Sequence, residues 1–259
     1  MDVGPLRDAL TLVAGLATGV MSASFGIGGA TISTPAIRAL GVSPLLAVGT
    51  TLPSILPGAV AGTLQYVRQG LVRWRAVAWA APAGAVAAVA GSLLSPRVPG
   101  SGHLLMIATA LLLGATSARI GRGNEPVAEA ATRPRESPVL LAGAGAAAGL
   151  LSGLLGVGGG VLLVPAFNQL ARIPLRSTIA TSLVCVGIVA VPGTLAHAAL
   201  GQVDWRVAAW LTAGVVPGAR VGAWAAIRAT DRRIRRTLAG GLGAVSAVYL
   251  VGELAALAG

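Results

Sequence analysis

Residues Gly156 to Pro165 read GVGGGVLLVP and interrupt a long apolar segment; residues Gly26 to Pro35, GIGGATISTP, do the same 130 positions earlier. Each glycine costs a helix about 1 kcal/mol relative to alanine. The proline nine residues on has no N–H to donate. Inside a bilayer a broken backbone is tolerated only where protein or a water-filled cavity satisfies the freed groups. Paired breaks at matching positions of two halves point to a transporter's binding site.

Composition sets the class around these breaks. Of 259 residues, 55% are hydrophobic and 10% charged, too little charge to cover a soluble protein of this length. An all-α integral membrane protein is expected. The net charge of +11 comes from 19 arginines and no lysine. Most of them fall in short loops between apolar segments, where they set topology, so nucleic acid is not an expected partner. Cys185 stands alone, which excludes a disulfide framework and a cysteine metal cluster. All eight acidic residues lie in loops, termini or segment ends. No carboxylate is then available at mid-membrane for a cation or a proton relay. There is no P-loop and no catalytic constellation, so neither an enzyme, nor a metal site, nor a cofactor is expected.

Eight hydrophobic segments follow from hydropathy: 10–40, 45–66, 74–94, 103–118, 139–171, 177–200, 205–227 and 237–257. They group into a first transmembrane repeat, residues 1–121, and a second, residues 138–259, joined by a polar linker, 122–137. AGTLQYVRQGLVRWRAVAW (61–79) and PGTLAHAALGQVDWRVAAW (192–210) share nine of nineteen positions at an offset of 131. The duplication is therefore visible in residues as well as in hydropathy.

The relative orientation of the halves depends on the broken segments. A straight helix from Asp8 to Gly41 would be about 50 Å long, against a hydrocarbon core of about 30 Å. If each broken segment is a re-entrant hairpin, each half has an odd number of crossings and the halves are inverted. The loop arginines then divide 14 to 4 between the two faces, as the positive-inside rule requires. The linker is expected to be cytoplasmic and both termini extracytoplasmic. Two short full crossings would have the same parity.

A half-helix starting at such a break presents free N–H groups and roughly +0.5 of a charge at membrane depth. Two of them would hold an anion without a charged side chain. The candidate substrate-binding residues are Gly26, Gly28 and Gly29 at the first break, and Gly156, Gly158, Gly159 and Gly160 at the second. Nearby hydroxyls add Ser22, Ser24, Thr50, Thr51, Ser152, Thr181 and Ser182. His197 is a candidate proton shuttle, and Arg220, inside a span, a candidate counter-charge. The competing reading of the glycines is close helix packing, which would fit a non-transporting scaffold or assembly subunit.

LLSGLLGVGGGVLLVP, then ATSL at 180–183 and HAALGQVDWR at 197–206, resembles the sulfite exporter TauE/SafE family; GVMSASFGIGGATISTP with VGTTL is a more degenerate first-half version. The resemblance covers residues 10 to 252. It implies a multi-pass protein of the cell inner (plasma) membrane that moves a small sulfur oxyanion such as sulfite, sulfoacetate or another organosulfonate. The expected partners are that anion and the lipid bilayer, with a homo-oligomer left open. The first half departs from the fuller motif at Ala30, opposite Gly160, and at Ala23, opposite Gly153.

Overall fold

The computed structural model describes residues 4–97, 136–155 and 158–258, with Ile107, Ala110, Leu111, Leu113, Gly114, Ala115, Ser117 and Ala118. Residues 122–135 of the polar linker and Gly156 lie outside the described residues. Among those described the protein is all-helical, with no strand. The helices are α1 (Pro5–Phe25), α2 (Ala30–Ala39), α3 (Pro44–Arg68), α4 (Trp74–Leu94), α5 (Pro138–Leu155), α6 (Gly160–Pro165), α7 (Leu175–Ala199), α8 (Trp205–Arg228) and α9 (Asp231–Ala258). Among the described residues four helices are long and apolar enough to cross a membrane, within Pro5–Phe25, Leu45–Arg68, Trp74–Leu94 and Leu175–Ala199.

Local chemistry sets the ends. Pro5 and Pro44 open α1 and α3, where the missing N–H costs nothing. Asp204 caps α8 by accepting from the N–H groups of Arg206 and Val207. Hydropathy places the last segment at 237–257, whereas α9 begins at Asp231. There the Thr230 carbonyl accepts from Ile234 N and its hydroxyl from Arg233 N. A threonine cap thus starts the helix inside a charged stretch that hydropathy alone leaves out.

Small residues set the packing. α1 lies on α8 in parallel: Gly15 faces Leu211, Gly19 faces Val215 and Val20 faces Gly222, with an Asp8–Arg206 ion pair at the start of both. α4 and α5 pair in the same sense, Ala80 with Gly145, Gly84 with Gly149 and Ala88 with Gly153. A side chain at most of these glycines would run into the partner's backbone. α3 also runs parallel to α8, Gly58 facing Val215 and Gly62 facing Ala219. α3 and α7 cross in opposite senses, with Leu52 against Gly193, Ala59 against Gly187 and Leu183 against Gly62.

The first broken segment turns at Gly26. α1 ends at Gly26, a left-handed C-cap (φ 67°) whose N–H bonds the Ser22 carbonyl at 2.8 Å. The start of α2 at Gly29 lies beside Thr18 and Ser22 of α1. Its far end, Ile37, packs with Val207 and Leu211 of α8, near the level at which Gly15 of α1 meets α8. α2 therefore packs beside both α1 and α8. In the second half α6 is followed by one π-helical turn, Ala166–Leu170, directly after Pro165. The turn before α7 places Arg172 in the left-handed region (φ 55°), where the first half has Gly41 (φ 88°).

Candidate functional site

The two breaks meet. A Cβ built on Gly28 would stand 3.2 Å from the Gly158 carbonyl oxygen and 3.1 Å from Val186 Cγ1. One built on Gly158 would stand 3.4 Å from Gly28 Cα and 3.3 Å from Ile55 Cδ1. Ile55 and Val186 sit at the middle of the 25-residue helices α3 and α7, so the contact lies at the centre of the bundle. Gly28 (φ 81°), Gly158 (φ 83°) and Gly159 (φ 67°) are all left-handed, a region glycine enters without the steric cost of a Cβ. Gly160 packs on the backbone of Gly26 and Ile27, leaving no room for a side chain. Ala30, its first-half counterpart, is fully buried.

The first-turn N–H groups of each helix after a break have no intrahelical acceptor. At the second break one is used locally, Gly160 N to Gly158 O at 2.8 Å. Beside the first break Thr18 is fully buried and its hydroxyl has no hydrogen-bond partner. Its methyl is the nearest atom to a Cβ built on Gly29. Sequence reasoning did not single out Thr18. The available signal was its position four residues before Ser22 on the helix leading into the break, which puts both on one face.

The other candidates divide by what they touch. Ser182 Oγ donates to the Gly26 carbonyl at 2.6 Å and so belongs to the first break. Thr51 donates to Val48 O and lies 3.4 Å from the Thr34 hydroxyl of α2. Ser22 and Ser152 are buried on α1 and α5. Ser24 turns to the Gly222 carbonyl of α8. Thr50 and Thr181 hold turns across the bundle: Thr50 Oγ1 accepts from Asp204 N at 2.9 Å and Thr181 Oγ1 from Arg73 N at 3.0 Å. Those N–H groups belong to the residues that precede α8 and α4.

His197 is fully buried, with Nε2 3.2 Å from the Gly153 carbonyl and Nδ1 2.7 Å from the Gln202 side chain. Tyr66, its first-half counterpart, donates to the Ala23 carbonyl at 2.6 Å. Both rings tie the end of α3 or α7 to the helix entering a break. Arg220 is on the outer, exposed face of α8, and its carbonyl accepts from Gln65 Nε2 at 2.8 Å. The structure therefore groups Gly26, Gly28, Gly29, Gly158, Gly159, Gly160 and Ser182 at the centre and leaves Arg220 facing outward. A groove of about 520 Å³ between α3 and α7 is apolar, and the break glycines do not line it. Among the described residues no cluster of His, Cys, Asp or Glu could hold a metal.

Comparison with known proteins gives one family. The model of "Sulfite exporter TauE/SafE" matches residues 11–250. A "Probable membrane transporter protein" of Xylella fastidiosa strain 9a5c is 28% identical over 221 residues, 85% of each chain. The "Probable membrane transporter protein YunE" of Bacillus subtilis strain 168 is 26% identical over 236 residues, 83% of this chain and 86% of its own. "Probable membrane transporter protein MamO" of Magnetospirillum gryphiswaldense is 36% identical over 107 residues, 37% of this chain and 17% of its own. No solved structure matches. With glycine breaks meeting at the centre of an apolar helical bundle and a family match over nearly its whole length, the chain belongs to the sulfite exporter TauE/SafE family.

Proposed function

We propose that this membrane protein is a secondary transporter of a small anion, of the sulfur oxyanion class, held between the two glycine breaks. The observation that carries the reading is the central contact of Gly28 with Gly158. It brings the start of α2 and the start of α6 to one point. N–H groups and the positive ends of helix dipoles converge there, where glycine lets a ligand approach the backbone. The unpartnered Thr18 hydroxyl beside Gly29 supplies a further donor on the first-half side. With the breaks in contact the centre is closed. An anion enters only as the breaks part, which makes alternating access the natural cycle.

The proposed architecture is a pair of inverted repeats, each opening with a re-entrant hairpin. Packing directions support it. α1, α3 and α8 run one way and α4, α5 and α7 the other, as judged from their paired residues, so equivalent helices of the two halves oppose each other. The arginine division agrees. Arg68 ends α3, and Arg176, which begins α7, bonds Ala229 at the end of α8. All three positions fall on the arginine-rich face, taken as cytoplasmic. Arg7, Arg38 and Arg206 gather at the opposite end.

The scaffold reading has its own observation, the Gly160 contact with the Gly26 and Ile27 backbone, which is pure packing. Uptake into proteoliposomes separates the two. Sulfite, sulfoacetate, sulfate and chloride gradients should give flux for the sulfur oxyanions over chloride. Absence of flux and of anion-dependent stabilisation for all four would leave the scaffold.

A further inference from the structure

We propose that the outer seam between α3 and α8 is a binding site for an anionic phospholipid, its phosphate held by Arg68, Arg220 and Arg228 and its chains laid against Leu64 and Trp224. The two helices lie in register along this seam. Gly62 faces Ala219, and the Gln65 amide donates to the Arg220 carbonyl at 2.8 Å. Arg220, Trp224 and Arg228 follow one another at four-residue spacing on the exposed face of α8, a single stripe. The Arg228 guanidinium stacks on the Trp224 ring, 4.3 Å from its centroid. Arg68 is exposed at the end of α3, three residues beyond Gln65. Leu64 on α3 and Trp224 on α8 are exposed apolar side chains.

Arg220 stands eight residues, about 12 Å, inward from Arg228. A cation at that depth on a lipid-facing surface is costly without a counter-charge. A lipid phosphate is the anion that the surroundings supply. A guanidinium fork holds it by two hydrogen bonds, and basic pockets between membrane helices are sites for such headgroups.

The duplication provides an internal comparison. At the offset of 131 the equivalent seam, between α7 and α4, carries Ala199 for Arg68, Val89 for Arg220 and Leu93 for Trp224; only Arg97 matches Arg228. Generic interfacial anchoring would serve both seams alike. Three arginines and a tryptophan on one of them mark a site built for an anionic headgroup at one face of the membrane. The inference does not depend on what is transported.

The test is native mass spectrometry of the purified full-length protein, titrated with phosphatidylglycerol or phosphatidylcholine of matched chains. The wild type should retain phosphatidylglycerol in preference. Arg220→Gln and Arg68→Gln should each lower that preference roughly fivefold, Arg220→Lys should keep part of it, and Arg97→Gln should leave it unchanged. An equal loss in Arg97→Gln would mean diffuse attraction to charge and overturn the site. So would full retention in Arg220→Gln or, should that variant not fold, in Arg68→Gln. Displacement of the lipid by millimolar inorganic phosphate would reassign the seam to a soluble anion and also overturn it.

Discussion

Gly28 and Gly158, 130 residues apart in sequence, touch at the centre of the bundle, each in a backbone conformation that a side chain disfavours. The contact makes the two broken segments a single structural feature. It also separates two roles of glycine within one motif. Gly160 is fixed by packing, since its Cβ would enter the Gly26–Ile27 backbone. Gly28 and Gly158 have room for a methyl group at ordinary or slightly tight distances, so what glycine supplies there is conformation and approach.

The difference yields the first prediction. Gly28→Ala and Gly158→Ala should fold, at a cost of about 1–2 kcal/mol for a left-handed alanine, and should lose most anion transport per folded molecule. Gly160→Ala should fail to give monodisperse protein. Gly143→Ala, where a Cβ meets nothing within 4 Å, should change neither yield nor transport. Size-exclusion profiles with proteoliposome flux read all four. Wild-type flux in well-folded Gly28→Ala would remove the site from the breaks.

The second prediction concerns the ring that ties α3 to the first broken segment. Tyr66 is 1% exposed and its hydroxyl meets the Ala23 carbonyl at 2.6 Å. Tyr66→Phe keeps the packing and leaves that carbonyl without its donor, which should cost about 1–3 kcal/mol. Thermal unfolding in detergent should show the loss. An unchanged unfolding temperature would mean that the hydroxyl carries no structural load.

Much of this organisation was legible in the chain. The two glycine motifs, the offset of 131 and the pairing of Tyr66 with His197 were all open to reading, because a duplication preserves spacing. What escaped were relations between distant segments. Thr50 and Thr181 look like substrate hydroxyls because hydropathy places them inside spans. Their partners, Asp204 N and Arg73 N, lie 154 and 108 residues away, and no local pattern encodes that. Thr18 was missed for the complementary reason. A threonine on a helix ordinarily bonds its own backbone, and only its surroundings reveal that this one does not. The outward direction of Arg220 likewise depends on which face of α8 meets α1 and α3, which the small residues Gly214, Gly218 and Gly222 mark only once the partner helices are known.

The third prediction uses a place where the halves differ. Arg172 adopts φ 55° where its counterpart Gly41 has φ 88°. Left-handed backbone costs a residue with a side chain about 1–2 kcal/mol, and glycine returns roughly half of that through its larger unfolded-state entropy. Arg172→Gly should therefore stabilise the protein by up to about 1 kcal/mol, read as a raised unfolding temperature. Destabilisation would show that the guanidinium makes contacts worth more than the strain.

The last prediction tests the inversion of the halves. Gln69 follows α3 and Leu200 follows α7 at equivalent positions, and both are exposed. Parallel halves would put them on the same face of the membrane. Inverted halves put them on opposite faces, Gln69 with the arginine-rich cytoplasmic side and Leu200 outside. The only native cysteine, Cys185, is fully buried, so its background in a labelling experiment should be low. Gln69→Cys and Leu200→Cys, expressed separately in intact cells, should respond oppositely to a membrane-impermeant maleimide. Leu200→Cys should label in intact cells, and Gln69→Cys only after the membrane is opened. Labelling of both from one side would return the halves to a parallel arrangement. The two breaks would then both open towards one face, and alternating access by exchange of equivalent halves would have no structural basis.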